Sequence, residues 1–180
     1  MDELEAIHRL KRGDISGLAL LVRRYQVQAV RTAYLITQER DLAEDVVQTA
    51  FIQVYRQIDG FDTKRPFAPW FMRSVVNAAV QAARKQHRQI SLDSSPFEDG
   101  LPDPAPSPES AVESAELEQV VWQALQKLSP EQRAAVVLRY YLGFSESEMS
   151  DELDCAPGTV KWRLHSARKQ LRILLGTQEE

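Results

Sequence analysis

Apolar residues recur along this chain at three- and four-residue intervals, and no stretch sustains the two-residue alternation of a half-buried strand. In the first half the sets are Leu18, Leu21, Val22 and Tyr25; then Ala29, Val30, Ala33 and Tyr34; then Leu42, Val46, Phe51, Tyr55 and Ile58. A fourth helix is expected over residues 66–88, with Met72, Val76, Ala79 and Ala83 as its buried face. In the second half Leu117, Val120, Val121, Ala124, Leu125 and Leu128 make one stripe. Ser129-Pro130-Glu131-Gln132 carries a cap, a proline at the first helical position and an amide three residues after the cap, the signature of a helix start. The next helix should stop near Gly143. Ser145 and Glu148 repeat the capping spacing, Pro157 and Gly158 mark a turn, and a final helix should run to about Leu175. The expected fold class is all-α.

Between the two helical blocks lies SLDSSPFEDGLPDPAPSPES, with Pro96, Pro102, Pro104, Pro106 and Pro108 among serines and acids. Proline at that density removes backbone donors and opposes helix, and little there is apolar enough to bury. Two small helical domains, residues 1–90 and 112–176, are therefore expected on either side of an extended linker, 91–111. That linker should hold the two basic faces apart and be cut first by proteases. Each domain alone has a thin core and would gain from a large partner.

Charge sharpens the picture. The formal net charge is −4, which suits a nucleic-acid binder poorly, yet it is segregated. From Thr63 to Leu92 there are bases and no acid; the same holds from Ala156 to Gly176; from Asp93 to Glu118 there are acids and no Lys or Arg. An acidic protein can present basic surfaces in this way, although solvated helix faces around a solubilising linker would give the same tally. No run reaches the roughly 20 apolar residues of a membrane span. The N-terminus lacks a signal-peptide core. Cys155 is the sole cysteine, which excludes an internal disulfide and a cysteine metal cluster. A cytoplasmic, reduced setting is expected, with no cofactor and no metal. The three histidines are scattered and no catalytic motif is present, so an enzyme is disfavoured.

Residues 144–172 read as a short helix, a tight turn and a basic helix, the order of a helix-turn-helix. On the last helix Val160, Leu164, Ala167 and Leu171 share one face. Lys161, His165, Arg168 and Arg172 form a neighbouring stripe, and Trp162 and Lys169 point away from the core. A helix with one dry and one basic face fits a major groove, and an exposed indole wants a partner. In the first half Arg73, Asn77, Gln81, Arg84 and Arg88 make a polar, basic stripe on the fourth helix. A loop precedes it with Phe61, Lys64 and Arg65. Aromatic, amide and basic groups together suit single-stranded DNA. Phe67, Trp70 and Phe71 read better as core, and Phe61 is open between core and base stacking. Asp41, Glu44, Asp45 and Gln48 share an exposed helix start, where acids also suit the helix dipole, so the pattern by itself names no partner.

Taken together, these segments resemble the extracytoplasmic-function sigma factors of bacterial RNA polymerase over nearly the whole chain. DLAEDVVQTAFIQVYRQIDGFD is similar to that family's region 2.2, FAPWFMRSVVNAAVQAARKQHR to its regions 2.3 and 2.4, and LSPEQRAAVVLRYYLGFSESEMSDELDCAPGTVKWRLHSARKQLR to its region 4. The resemblance implies core RNA polymerase as a partner, through its β′ clamp helices and β flap, with promoter DNA and an anti-sigma factor as further partners. It implies that Asp41, Glu44, Asp45 and Gln48 contact β′. Phe61 and Asn77, with Lys64, Arg65, Arg73, Gln81, Arg84 and Arg88, would hold the melted −10 strand. Lys161, Trp162, Arg163, His165, Ser166, Arg168 and Lys169 would read −35 duplex. Three positions depart from the family's habit: Thr49 where Glu is usual, Trp162 where Ser or Thr is common, and Ser166 in place of a frequent Arg. A plain helix-turn-helix regulator with a helical sensor domain is the rival reading; it would bind duplex DNA alone.

Overall fold

A computed structural model of the chain describes residues 2–92 and 110–176; residues 93–109, most of the expected linker, lie outside the described residues. Among the described residues eight α-helices follow in order: α1 (Glu3–Lys11), α2 (Ser16–Thr37), α3 (Arg40–Gln57), α4 (Phe67–Leu92), α5 (Ser110–Gln126), α6 (Pro130–Val136), α7 (Glu146–Glu152) and α8 (Pro157–Leu174). A 3-10 turn, Ile58–Gly60, closes α3, and a π-helical segment, Val137–Tyr141, continues α6. The chain is all-α, as expected. Helix α4 runs to Leu92 and α5 begins at Ser110, so both helices reach slightly into the linker expected from sequence.

The N-terminal half is a four-helix cluster. Helix α2 packs on α1, α3 and α4. The α1–α2 crossing is close enough that a Cβ on Gly17 would strike the backbone of Ala6 and Leu10, so only glycine fits there. Phe67 and Phe71 are fully buried at the start of α4 and stack against each other at 5.8 Å between ring centroids. Phe51 from α3 and Tyr25 from α2 complete this aromatic centre, at 4.6 and 6.0 Å from Phe71. The expected buried face of α4 is in place, with Met72, Val76, Ala79 and Ala83 all buried.

Both sequence-read helix starts in the C-terminal half are closed by reciprocal capping. The Ser129 hydroxyl accepts from the Gln132 N–H while the Gln132 side chain accepts from the Ser129 N–H; Ser145 and Glu148 do the same at α7. The Ser145 hydrogen bonds hold the Glu148 carboxyl below the usual carboxylate range. Gly143, at φ +76°, ends the π-helical segment in a left-handed conformation that glycine adopts without a Cβ penalty.

The two halves pack against each other. Helix α6 packs on α4 and α2, and the π-helical segment also touches α2. One apolar cluster includes Ala33, Ile36, Val76 and Val80 from the first half with Ala134, Leu138 and Met149 from the second. Leu35 packs against a smaller cluster of Leu125, Leu128 and Ala167. The Tyr34 ring stacks on Trp122 at 4.5 Å. Periodicity marks which faces are apolar; it does not say that the outer face of α2 meets the second half.

Candidate nucleic-acid interface

Helix α8 starts with Pro157 at its first position, where no N–H is required. Val160, Leu164 and Ala167 are buried and lock one face onto α6 and α7. The opposite side presents Lys161, Trp162, His165, Arg168 and Lys169 as exposed residues; Trp162 is 64% exposed, high for an indole and a mark of an unfilled contact. Arg163 and Ser166 are only partly accessible. Their side chains face inward contacts: Arg163 Nη1 lies 3.6 Å from Cys155 Sγ, and Ser166 Oγ accepts from Gln132 Nε2 at 2.9 Å. Gln132 therefore serves both its own helix cap and the orientation of α8. Arg168 Nε donates to the Tyr140 hydroxyl at 2.8 Å, with its guanidinium 5.9 Å from that ring's centroid. Tyr140 was missed by the sequence reading. Its signal is the pair Tyr140-Tyr141 at a helix end; both stay largely exposed, and the π-helical turn places Tyr140 beside α8.

On α4, Arg73, Gln81, Arg84 and Arg88 are exposed and Asn77 is half-buried, in one line along the helix as the spacing requires. Lys64 and Arg65 are exposed in the loop before it. Phe61 is a correction. It is 4% exposed, with its ring 4.8 Å from Trp70 and edge-on to Phe67 at 5.7 Å. In this conformation it offers no face to a base. Burial of a benzyl group among aromatic neighbours outweighs its place in a loop. Lys11 donates to the carbonyls of Asp59 and Phe61, at 3.1 and 2.6 Å, so the loop is pinned from α1 as well.

Two of the stripe's arginines face acids from the other half of the chain. Arg84 forms an ion pair and hydrogen bond with Glu131. Burial by itself would raise the Glu131 carboxyl; its own backbone N–H at the start of α6 and the Arg84 guanidinium outweigh that and hold it below the usual range. Arg73 and Arg65 line one wall of a cleft whose other wall is Ser150, Asp151, Asp154, Cys155 and Ala156. Behind that wall Glu152 is buried, and its Oε2 has no hydrogen-bond partner. Burial pushes its carboxyl up to about 7, against the pull of Arg73, with Asp151 and Glu148 adding to the rise.

The third surface is α3. Asp41, Glu44, Asp45 and Gln48 are exposed as expected, with Glu44 paired to Arg40 at 3.0 Å. The face continues through Ile52 and Tyr55, 45% and 48% exposed. Tyr55 was counted with the apolar periodicity of this helix; the structure turns it to the outside, so the face is acidic at its start and apolar at its end.

Among the described residues no cluster of His, Cys, Asp and Glu could hold a metal, and no helix is long and apolar enough to cross a membrane.

Comparison with known proteins places both halves of the chain in one family. Residues 21–89 match the family Sigma-70 region 2, and residues 118–171 match Sigma-70, region 4. The chain is 33% identical to the ECF RNA polymerase sigma factor SigW of Bacillus subtilis (strain 168), across 92% of each chain. It is 32% identical to the ECF RNA polymerase sigma-E factor of Escherichia coli (strain K12), covering 92% of this chain and 90% of that one. Among solved structures, the sigma factor RpoE in complex with the anti-sigma factor NepR from Bartonella quintana aligns with a TM-score of 0.70 at 25% identity, covering 89% of this chain and 98% of that one. CnrH, solved in complex with the cytosolic domain of CnrY, shares the fold with a TM-score of 0.67 at 24% identity, covering 98% and 99%. With both family regions in order and relatives of this identity along almost its full length, the chain belongs to the extracytoplasmic-function sigma factors, the subunits that direct RNA polymerase to promoters.

Proposed function

We propose that this sigma factor reads −35 duplex DNA with α8 and captures the melted −10 strand with the α4 stripe, while the outer face of α3 grips the β′ clamp helices of core polymerase. The observation that carries the reading is the presence of two exposed basic helix faces, one in each sigma region, with the acidic α3 face separate from both. Its role is binding, and it needs no catalytic group of its own.

On α8, Lys161 and Lys169 are placed to meet phosphates, while Trp162 and His165 extend furthest toward base edges. Arg168 arrives oriented by Tyr140, which favours a fixed phosphate contact. Arg163 and Ser166, turned partly inward, set the pose of the helix and take a smaller share in reading. On α4, Asn77 can bond a base edge; Gln81, Arg84 and Arg88 can follow the backbone of one strand, with Arg73, Lys64 and Arg65 at the loop end. Phe61 supports this loop from beneath. On α3, Asp41, Glu44, Asp45 and Gln48 supply charge and hydrogen bonds, and Ile52 and Tyr55 supply apolar area.

The β flap is the expected second polymerase contact, through the C-terminal half. The RpoE relative is bound to the anti-sigma factor NepR, and an anti-sigma factor is proposed here as well, inside the cell where the polymerase works.

The test is transcription by reconstituted holoenzyme. Asn77→Ala should leave core binding intact but reduce promoter opening, scored by permanganate reactivity of unpaired thymines. Part of the defect should persist on a pre-melted bubble, because base capture is impaired along with melting. Promoter opening equal to the parent's would remove α4 from strand capture.

A further inference from the structure

We propose that Trp162 reads the 5-methyl group of a thymine in the −35 duplex, which makes this indole a specificity-determining residue of α8. The inference rests on the reading of α8 given above and names the chemical group that the helix selects.

Three observations carry it. The first is placement. Trp162 is the sixth residue of α8, which begins at Pro157, and the N-terminal residues of a recognition helix are those that meet base edges. At about 100° per residue it stands nearly opposite the face that Val160, Leu164 and Ala167 bury. The second is isolation. The side chain is 64% exposed, and among the described residues no hydrogen bond or ring contact holds it. The third is its setting. Lys161 and His165 are exposed beside it, Arg168 and Lys169 follow further along, and α8 carries no acid. A large apolar side chain among cationic groups on an acid-free helix calls for an anionic partner with an apolar group at the point of contact. Duplex DNA offers that pair of features, and an apolar protein surface offers only the second.

The chemistry of the groove narrows the choice to one base. In the major groove the base edges present hydrogen-bond donors and acceptors, and the one apolar group among them is the thymine methyl. An indole has a single donor, Nε1–H, and no acceptor. Laid over a purine edge or a cytosine amine, it would strip water from polar groups and return at most one hydrogen bond; a buried polar group left unpaired is costly. Against a thymine methyl the same ring removes apolar surface from water on both partners. Burying one such group corresponds to about fourfold in affinity, or ~0.8 kcal/mol at about 1.4 kcal/mol per tenfold. Ser166, one turn on, is short and accepts from Gln132 Nε2, which leaves that flank of the indole open to a base.

The test uses holoenzyme reconstituted from the full chain and core polymerase. A duplex pool randomised at the −35 element gives the parent's preferred sequence. In that sequence each thymine is replaced in turn by deoxyuridine, which removes the methyl and keeps the pairing and the O4 acceptor. Each guanine is replaced in turn by 7-deazaguanine, which removes the N7 acceptor. Affinities are read by competition for the parent, Trp162→Ala and Lys161→Ala/Lys169→Ala. The expected result is a thymine at which deoxyuridine weakens the parent about fourfold, while Trp162→Ala binds the two duplexes equally.

The proposal is overturned if the preferred sequence holds no thymine, if no deoxyuridine weakens the parent, or if the penalty is the same in Trp162→Ala. It is also overturned if the penalty that vanishes in Trp162→Ala is that of 7-deazaguanine, because Nε1–H then reads a guanine. In each of these cases weaker binding by Lys161→Ala/Lys169→Ala shows that α8 still meets the duplex and only the methyl contact is wrong. Unchanged binding by that variant means that the reading of α8 itself fails.

Discussion

At the scale of single residues, exposure separates side chains that spacing alone treats alike. Lys161 and Arg163 are both bases near the start of α8, yet Lys161 is exposed and Arg163 is drawn toward Cys155. Lys161→Ala should therefore weaken duplex binding and lower the salt dependence by about one counterion. Trp162→Ala should lower affinity with little change in salt slope. Both are read by titrating a −35 duplex at several salt concentrations with the full chain; identical slopes for parent and Lys161→Ala would remove that lysine from the phosphates. Glu152 supports a prediction of another kind. Its carboxyl, buried and without a partner at Oε2, is raised to about 7. A carboxyl raised by folding binds its proton more tightly in the native state, so its contribution is complete below the unfolded value near 4.5 and is lost as pH rises to about 7. The rise corresponds to no more than ~3 kcal/mol. In urea titrations at pH 5 and pH 8, the parent should lose stability relative to Glu152→Gln over that interval. Parallel pH profiles would mean that Glu152 titrates normally in the folded chain.

At the scale of elements, the helices best read from sequence are those whose ends carry their own chemistry. Ser145 and Glu148 announce α7, and the structure closes that box as the spacing requires. Ser145→Ala should cost about 1 kcal/mol of stability in thermal or urea unfolding, with a loosened α7 as the local effect. Gly17→Ala should cost about 1–3 kcal/mol, because the added methyl meets backbone that cannot swing aside; a thermal melt unchanged from the parent's would show that the α1–α2 crossing yields. The stripe on α4 was legible for a similar reason, since its spacing alternates a buried set with a polar one along a long helix. Less was legible where position depends on distant partners. Phe61 sits in a loop by sequence, but its ring is claimed by Phe67 and Trp70. Tyr55 falls in an apolar series and still faces outward, because Val54, one residue earlier, holds the buried face with Val47, Ala50 and Phe51 and leaves Tyr55 about 100° further round the helix. The π-helical turn that brings Tyr140 to Arg168 has no local signal beyond the tyrosine pair.

At the scale of the whole molecule, the closed arrangement was beyond reach of the sequence, since Glu131 and Arg84 belong to different helical blocks and either could have faced solvent. Its consequence for polymerase binding can be argued from placement. Helix α3 packs on α2 and α4, and its exposed edge, from Asp41 through Gln48 to Tyr55, lies outside the contact that α6 makes with α4. The face proposed to bind the clamp and the closing contact are thus separate surfaces. Charge reversal at Glu44 and Asp45 to Lys should weaken core-polymerase binding at least tenfold while leaving helicity intact. Opening the chain with Glu131→Gln/Trp122→Ala should strengthen core binding modestly, because the C-terminal half no longer has to be pulled from the first half before it can reach its proposed polymerase contact. If the two surfaces act independently, combining the changes should give the sum of their separate effects within about 0.5 kcal/mol, measured as core affinities in a double-mutant cycle. A larger coupling would show that the α3 face is itself altered when the halves separate, and that polymerase senses closure through the clamp contact as well as through the C-terminal half.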